Sequence, residues 1–152
     1  MITILIDDRS NEDLPLEAYR DCALFVLEQQ GIREDAELAI SFVDVEEMQA
    51  LNLQYRDIDA PTDVLSFECD SLDLDSFIDP IRDVVFLLGD VVIAPAIARE
   101  HAEEFDSSFE EEMNLVLIHG ILHLLGYDHI ADGEYDVMRA LEDELLSAWS
   151  IR

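Results

Sequence analysis

The sequence contains no lysine, and its eight basic residues are all arginines, against 37 aspartates and glutamates. The formal net charge of −29 at pH 7 excludes a protein that holds nucleic acid through a broad basic surface. Cysteine is also scarce, and Cys22 and Cys69 do not form a C-x-x-C pair. This spacing favours reduced, inert thiols over a disulfide or a cysteine-based metal site.

Long apolar runs are absent as well. No stretch of 18 apolar residues occurs, so we expect no membrane-spanning helix and no membrane partner. The segment Met1–Asp8 has neither the basic flank nor the cleavage site of a signal peptide and is typical of a strand. Half of the chain is hydrophobic, which argues against disorder. We therefore expect one cytoplasmic domain spanning residues 1–152.

Three of the four histidines lie in one segment, His119-Gly-Ile-Leu-His123-Leu-Leu-Gly126-Tyr-Asp-His129. Histidines four residues apart share a helix face, so His119 and His123 can direct their imidazoles at one ion. His129 would face away on a continuous helix, but Gly126 can adopt the left-handed conformation that ends a helix and reverses the chain. Three histidines with an open fourth position describe a catalytic zinc site.

Ordinary buried histidines are the simpler alternative for this pair. Residues 115–125 are apolar except for His119, Gly120 and His123, and two imidazoles without partners would be costly to bury there. A glycine inside a helix costs about 1 kcal/mol relative to alanine. Gly120 therefore indicates either a close approach of two backbones or a ligand that needs the space.

Gly120 also separates this motif from that of the metallopeptidases. In H-E-x-x-H enzymes a glutamate follows the first histidine and serves as the general base. Here glycine stands at that position, while the longer frame H-x-x-x-H-x-x-G-x-x-H is kept. The motif thus retains the metal ligands and lacks the peptidase base, which favours hydrolysis of another kind of substrate.

The histidine segment resembles the signature of the YbeY family, bacterial metal-dependent endoribonucleases that act in ribosomal RNA maturation. Two other segments match this family in the expected order. Tyr55-Arg56 followed by Pro61-Thr-Asp63-Val-Leu-Ser66-Phe67 resembles its YR…PTDVLSF block, and Leu88-Gly-Asp90 resembles its LGD strand. The resemblance extends from about Met48 to Glu144, and the first forty-odd residues match only in general pattern.

The resemblance implies an activity, a cofactor and partners. The activity would be single-strand-directed, zinc-dependent RNA cleavage in 16S rRNA maturation and ribosome quality control. His119, His123 and His129 would hold one Zn²⁺ per chain, and nickel or cobalt would suit the same ligands. The partners would be ribosomal RNA, the small ribosomal subunit with its proteins, and a maturation GTPase, whereas DNA is not expected.

Arg56 is the basic residue that we expect in the active site, together with His119. A guanidinium can hold a phosphate bidentately and stabilise the extra charge of a pentacovalent transition state. A salt bridge to Asp57, Asp59 or Asp63 is the alternative that the residues alone favour. The resemblance favours the catalytic role, because the corresponding arginine of the family is regarded as essential.

Three other functions are compatible with the sequence. A zinc peptidase would need a base other than the missing glutamate. A non-catalytic assembly factor would dock on ribosomal proteins or on a maturation GTPase, and the charge of −29 suits such basic partners better than it suits naked RNA. A hydrolase of small phosphorylated molecules is the third.

Apolar periodicity and turn residues predict an α+β fold: a small mixed sheet of four strands packed with about five helices, one of them a zincin-like metal helix. The predicted strands are Ile2–Ile6, Glu37–Val43, Val64–Glu68 and Val84–Ile93. The predicted helices are Leu16–Gln29 before Gly31, a helix from the Asp44 cap to Gln54, Pro95–Phe105, the metal helix from a Ser107 or Ser108 cap to Gly126, and Gly133–Trp149.

Several single residues carry further expectations. Gly89 is predicted at a bulge or a close approach, and Ser71–Asp83 is predicted to be a mobile loop. Asp90 or Asp128 is a candidate acceptor for a ligand imidazole N–H. We expect an exposed His101, Ser66 as a weak site candidate, and a Tyr127 that packs with its hydroxyl bound to backbone. The last helix is expected to anchor through Trp149 and to turn Val137, Leu141, Leu145 and Ala148 inward.

Overall fold

Strands and helices are both present in the computed structural model, which describes residues 1–32, 35–69, 86–127 and 134–151. Within these ranges the strands are β1 (Ile2–Asp8), β2 (Ala36–Phe42), β3 (Val64–Glu68) and β4 (Phe86–Ile93). The helices are α1 (Leu16–Gln29), α2 (Val45–Arg56), α3 (Pro95–Glu104), α4 (Phe109–Leu124) and α5 (Glu134–Ile151). The predicted α+β class, with its small sheet and five helices, is confirmed.

The four strands form one mixed sheet in the order β1-β2-β4-β3. The pairs β1–β2 and β2–β4 are parallel, while β3 runs antiparallel to β4 at the edge of the sheet. The parallel pairs are possible because α1 and the chain from α2 onward supply long connections between the strands. The edge position of β3 leaves one side of that strand without a neighbouring strand in the described residues.

Local signals in the sequence placed most element boundaries within two residues. The predicted α1 and β3 match the observed bounds, and both predicted caps are present. The Asp44 side chain accepts from the backbone N–H of Glu47 at 2.8 Å, and the Ser108 hydroxyl accepts from that of Glu111 at 3.0 Å. Both bonds satisfy a helix N–H that has no partner within the helix.

Gly89 lies where the register between β2 and β4 shifts, so the predicted bulge is confirmed. Its φ of +140° is one that L side chains rarely adopt. A Cβ there would also lie 2.1 Å from the carbonyl oxygen of Phe67 on β3. Only glycine therefore allows β3 and β4 to approach at this point.

Helix α4 is the central element of the core and packs against α1, α3, α5, β3 and β4. Its side chains are buried along most of the helix, with Leu117, Ile118, Ile121 and Leu122 fully enclosed. A helix that is apolar nearly all round is expected to lie in the interior. This position fixes the polar side chains of α4 against rigid surroundings.

The predicted inner face of α5 was partly wrong. Val137 is 59% exposed, whereas its neighbour Met138 is buried together with Glu142 and Leu145. These three residues follow the spacing i, i+4, i+7 of one helix face. Leu145 is buried and Leu141 packs against the core, as predicted. The sequence interpretation missed Met138 and Glu142, because a carboxylate is rarely buried without a partner. Trp149 packs on Phe25 of α1, with ring centroids 5.6 Å apart, as expected of an anchor.

The cysteines, the absence of a membrane span and the predicted loop were three further expectations. Cys22 is buried, Cys69 is exposed, and no disulfide joins them. Among the described residues, no helix has both the length and the apolar character needed to cross a membrane. The predicted loop Ser71–Asp83 lies outside the described residues.

Candidate metal and substrate site

His119 and His123 lie one turn apart on α4, as their spacing predicts. Their ring centroids are 4.8 Å apart, and the ring planes are inclined at 76°. Both side chains are partly exposed, although most of α4 is buried. Two adjacent imidazoles that reach the surface from a rigid helix can present nitrogen ligands to one ion.

Helix α4 ends as the sequence predicts, at Gly126. The Gly126 N–H donates to the carbonyl of His123, and the Tyr127 N–H donates to the carbonyl of Leu122, each at 3.1 Å. This is the Schellman arrangement, and the φ of +100° at Gly126 is the left-handed conformation that it requires. The chain therefore leaves the helix axis within three residues of His123. His129, the third predicted ligand, lies outside the described residues, and so does Asp128.

Glu142 of α5 is the acceptor that the sequence interpretation missed. Its Oε1 contacts Nδ1 of His119, and its side chain is only 6% exposed. The N–H at Nδ1 can donate to this carboxylate, which leaves Nε2 as the nitrogen available to an ion. Buried carboxylates that orient metal-ligating histidines are a common feature of metal centres. The donor set and this contact therefore fit a bound divalent metal.

We expect the substitution Glu142→Gln to weaken metal binding by about 10- to 100-fold, because the amide binds His119 less strongly and fixes its tautomer less well. Titration of the chelator-treated protein with Zn²⁺ measures this effect. Asp143→Asn is the matched control, because Asp143 is exposed on the same helix and contacts Arg139 instead. Equal affinities of Glu142→Gln and the wild type would exclude a role for Glu142 in ligand orientation.

Gly120 lies against the sheet, which explains why glycine stands between the two histidines. A Cβ at this position would lie 2.7 Å from Cγ1 of Val91 and 3.1 Å from Cγ2 of Val64. The Ser66 hydroxyl donates to the carbonyl of Gly120 at 2.9 Å, which holds α4 close to β3. The sheet does lie close to Gly120, but side chains and not the predicted second backbone take up the space. A glutamate of the peptidase type has no room here, and Ser66 has a structural role in this contact.

We expect Gly120→Ala to destabilise the fold by about 1–3 kcal/mol through overpacking, despite the better helix propensity of alanine. Denaturant unfolding measures the change. Val91→Ala removes the nearest clashing atom, so the double variant should be more stable than the sum of the two single changes predicts. If the two losses of unfolding free energy are additive, Val91 is not the side chain that excludes a Cβ at position 120.

A groove of about 810 Å³ brings Arg56 together with both histidines. Its described lining comes from the end of α2, from Thr62–Glu68, and from His119 and His123 of α4. Among the ion pairs of the described residues, none involves Arg56. Asp59 instead accepts from Gln49 at 3.0 Å, and Asp63 faces His101 at 3.3 Å. The salt bridge that the residues alone favoured for Arg56 is thus not formed there.

A second group of possible metal ligands lies beside the first. Asp63, His101 and Glu112 bring donor atoms within 4.8 Å of one another, and they line a cavity of about 330 Å³ that also contains His119. Burial raises the pKa of Glu112 above its usual value, and the negative charge of Asp63 adds to this effect. His101 was expected to be exposed, but it is half-buried and contacts Asp63, because α3 packs on α4.

Asp90 and Tyr127 are two further residues for which the sequence predicted a hydrogen bond. Asp90 forms no hydrogen bond to a histidine within the described residues; it lies in β4, opposite Phe67. Tyr127 packs against the core as expected, but its hydroxyl donates to the Gln30 side chain at 2.9 Å and not to backbone. Neither residue contributes to the groove.

The fold and this site define a class of α+β proteins in which a buried helix carries paired histidines beside the edge strand of a mixed sheet. The family model described as "Endoribonuclease YbeY" matches residues 5–150. Proteins named endoribonuclease YbeY from two bacteria are similar over nearly their whole length. The chain therefore belongs to the YbeY family, as the sequence motifs indicated.

The relatives agree in length as well as in sequence. The protein from Macrococcus caseolyticus is 42% identical over 154 residues, covering 100% of this chain and 98% of the relative. The protein from Acidothermus cellulolyticus is 42% identical over 151 residues, covering 97% and 92%. The solution structure of TM1509 from Thermotoga maritima superposes with a TM-score of 0.61 at 28% identity, covering 99% of this chain and 92% of that one.

Proposed function

We propose that this chain is a metal-dependent endoribonuclease that cleaves single-stranded segments of ribosomal RNA. The observation that supports this most directly is the groove in which Arg56 lies with His119 and His123. A cation-binding pair of imidazoles beside a guanidinium with no ion pair in the described residues is suited to a phosphodiester substrate. Membership of a family whose relatives are named endoribonucleases supports RNA as that substrate.

The proposed metal is one Zn²⁺ per chain, held by His119, His123 and His129. When bound, the ion supplies Lewis-acid chemistry to the phosphodiester. Glu142 accepts the N–H at Nδ1 of His119, which orients the ring and leaves Nε2 as the nitrogen that would bind the ion. Arg56 binds phosphoryl oxygens through two parallel N–H donors and offsets the charge that develops in the transition state.

Ser66 and Gly120 have a supporting part in this proposal. The hydrogen bond between them fixes α4 on the sheet, and thereby sets the distance between the histidines and the α2 end that carries Arg56. The nucleophile is either water or the ribose 2′-hydroxyl. The two routes leave different ends, because attack by the 2′-hydroxyl yields a 2′,3′-cyclic phosphate and attack by water yields a linear one.

The test is RNA cleavage by the purified, untagged protein, since a polyhistidine tag would bring its own metal. The protein is assayed as isolated, after treatment with a chelator, and after addition of Zn²⁺, Ni²⁺ or Co²⁺. We expect about one metal ion per chain and cleavage that disappears and returns with the metal. A protein that takes up no metal and cleaves no structured or single-stranded RNA would refute the proposal.

A non-catalytic assembly factor is the second candidate, and the charge of −29 is the observation that favours it. Such a protein would bind basic ribosomal proteins of the small subunit, or a maturation GTPase, by charge complementarity. It would still restore 16S rRNA maturation in cells after loss of Arg56. Failure of an Arg56→Ala variant to do so, with normal protein levels, would favour the endoribonuclease.

A further inference from the structure

Tyr55 is an exposed aromatic residue that lines the groove. It is the penultimate residue of α2, and it is 58% exposed. Its ring contacts that of Phe67 on β3, with centroids 4.9 Å apart and planes inclined at 63°. This edge contact restricts the tyrosine ring while more than half of the residue remains in contact with solvent.

The position of Tyr55 relates it to the proposed substrate. Tyr55 and Phe67 line the same groove as Arg56, His119 and His123. Because both side chains line one groove, a strand whose phosphate is held by Arg56 can present a base to Tyr55. An exposed ring next to a phosphate-binding guanidinium is a common arrangement for single-stranded nucleic acids.

The charges in and around the groove favour a contribution to RNA binding that is not electrostatic. Arg56 is the one basic side chain other than histidine among the described residues that line the groove, and Asp63 and Glu68 are acidic. With a net charge of −29, the protein as a whole repels the RNA backbone. Stacking on an aromatic ring contributes binding free energy that does not depend on opposite charges.

We propose that Tyr55, supported by Phe67, is a stacking platform for one unpaired nucleobase of the RNA substrate. The proposal rests on the proposed function and adds to it the feature that selects single strands. A base in a duplex has both faces covered by its neighbours and cannot stack on Tyr55 without first leaving the helix. Tyr55 thus acts in substrate binding, beside the reacting groups.

The experiment measures binding of a single-stranded 2′-O-methyl oligoribonucleotide that carries 2-aminopurine. The methyl group blocks attack by the 2′-oxygen, and the oligonucleotide is checked for intactness after each measurement because attack by water remains open. Stacking of 2-aminopurine on an aromatic ring quenches its fluorescence. We expect the wild type and Tyr55→Phe to quench equally, and Tyr55→Ala to bind about 5- to 150-fold more weakly with the quenching lost. The groove contains one arginine. A plot of the logarithm of the wild-type binding constant against the logarithm of the salt concentration should therefore have a slope of roughly −0.7.

Two further variants make the result specific. Tyr55→Leu keeps an apolar contact with Phe67 without an aromatic face, and should also lose quenching while unfolding at the wild-type temperature. Leu53→Ala removes an apolar side chain of α2 that is 45% exposed and does not line the groove, and should bind as the wild type does. If Tyr55→Ala and Tyr55→Leu bind the oligonucleotide and quench its fluorescence as the wild type does, Tyr55 is not a stacking platform.

Cleavage and binding assays together distinguish failure of the stacking platform from failure of the endoribonuclease proposal. RNA cleavage that persists with unchanged KM in Tyr55→Ala refutes the platform and leaves the endoribonuclease intact. A wild type that cleaves no RNA and does not bind the oligonucleotide refutes both, and would leave the exposed Tyr55 as a contact for a protein partner.

Discussion

Replacing His123 with alanine is expected to abolish metal retention and to reduce RNA cleavage by more than about 100-fold. Loss of one of the three proposed ligands would remove a bond to the ion itself, which is a larger change than loss of an orienting partner. Elemental analysis of the untagged protein measures the first effect, and cleavage of a single-stranded RNA measures the second. His119→Ala should do the same and also destabilise the fold, because Glu142 would remain buried without its partner.

His101→Ala is the control that makes this prediction discriminating. His101 belongs to the neighbouring group with Asp63 and Glu112, which brings donor atoms close enough to hold a cation. If the metal binds to the histidines of α4, His101→Ala retains about one ion per chain. The reverse pattern, with metal lost in His101→Ala and kept in His123→Ala, would assign the ion to the group of Asp63 and contradict the three-histidine site.

The sequence predicted those features that depend on local periodicity and capping. Residues four apart on a helix share a face in any fold, so the pairing of His119 and His123 follows from their numbers. The end of α4 follows from Gly126, and the start of α4 from Ser108. The bulge at Gly89 was predictable because an isolated glycine in a strand pattern commonly marks one.

The features that could not be predicted depend on packing between distant segments. Glu142 contacts His119 across 23 positions of sequence, and nothing local distinguishes Glu142 from the exposed acids around it. The same ambiguity hid part of the inner face of α5, where a carboxylate is buried beside the predicted Leu145. His101 and Asp63 come together because α3 packs on α4 beside β3, which depends on the topology of the sheet.

Loss of Arg56 should reduce cleavage by about 10²- to 10³-fold while leaving the metal content unchanged. The guanidinium lies in the groove with the histidines, and within the described residues it forms no ion pair that would give it a structural role. Its contribution is therefore expected in kcat, through charge that develops in the transition state. Single-turnover cleavage at saturating protein, together with elemental analysis of the same sample, measures both quantities.

Arg56→Lys tests whether geometry matters in addition to charge. Lysine keeps the positive charge but cannot form two parallel hydrogen bonds to a phosphate, so we expect activity between those of the wild type and Arg56→Ala. Arg20→Ala is the matched control, because Arg20 is paired with Glu17 on α1 and does not line the groove. If Arg56→Ala loses the metal, Arg56 holds the site together rather than binding phosphate. If it cleaves at the wild-type rate, the transition-state charge is stabilised by other groups, and the acidic groove relies on the ion and on base stacking alone.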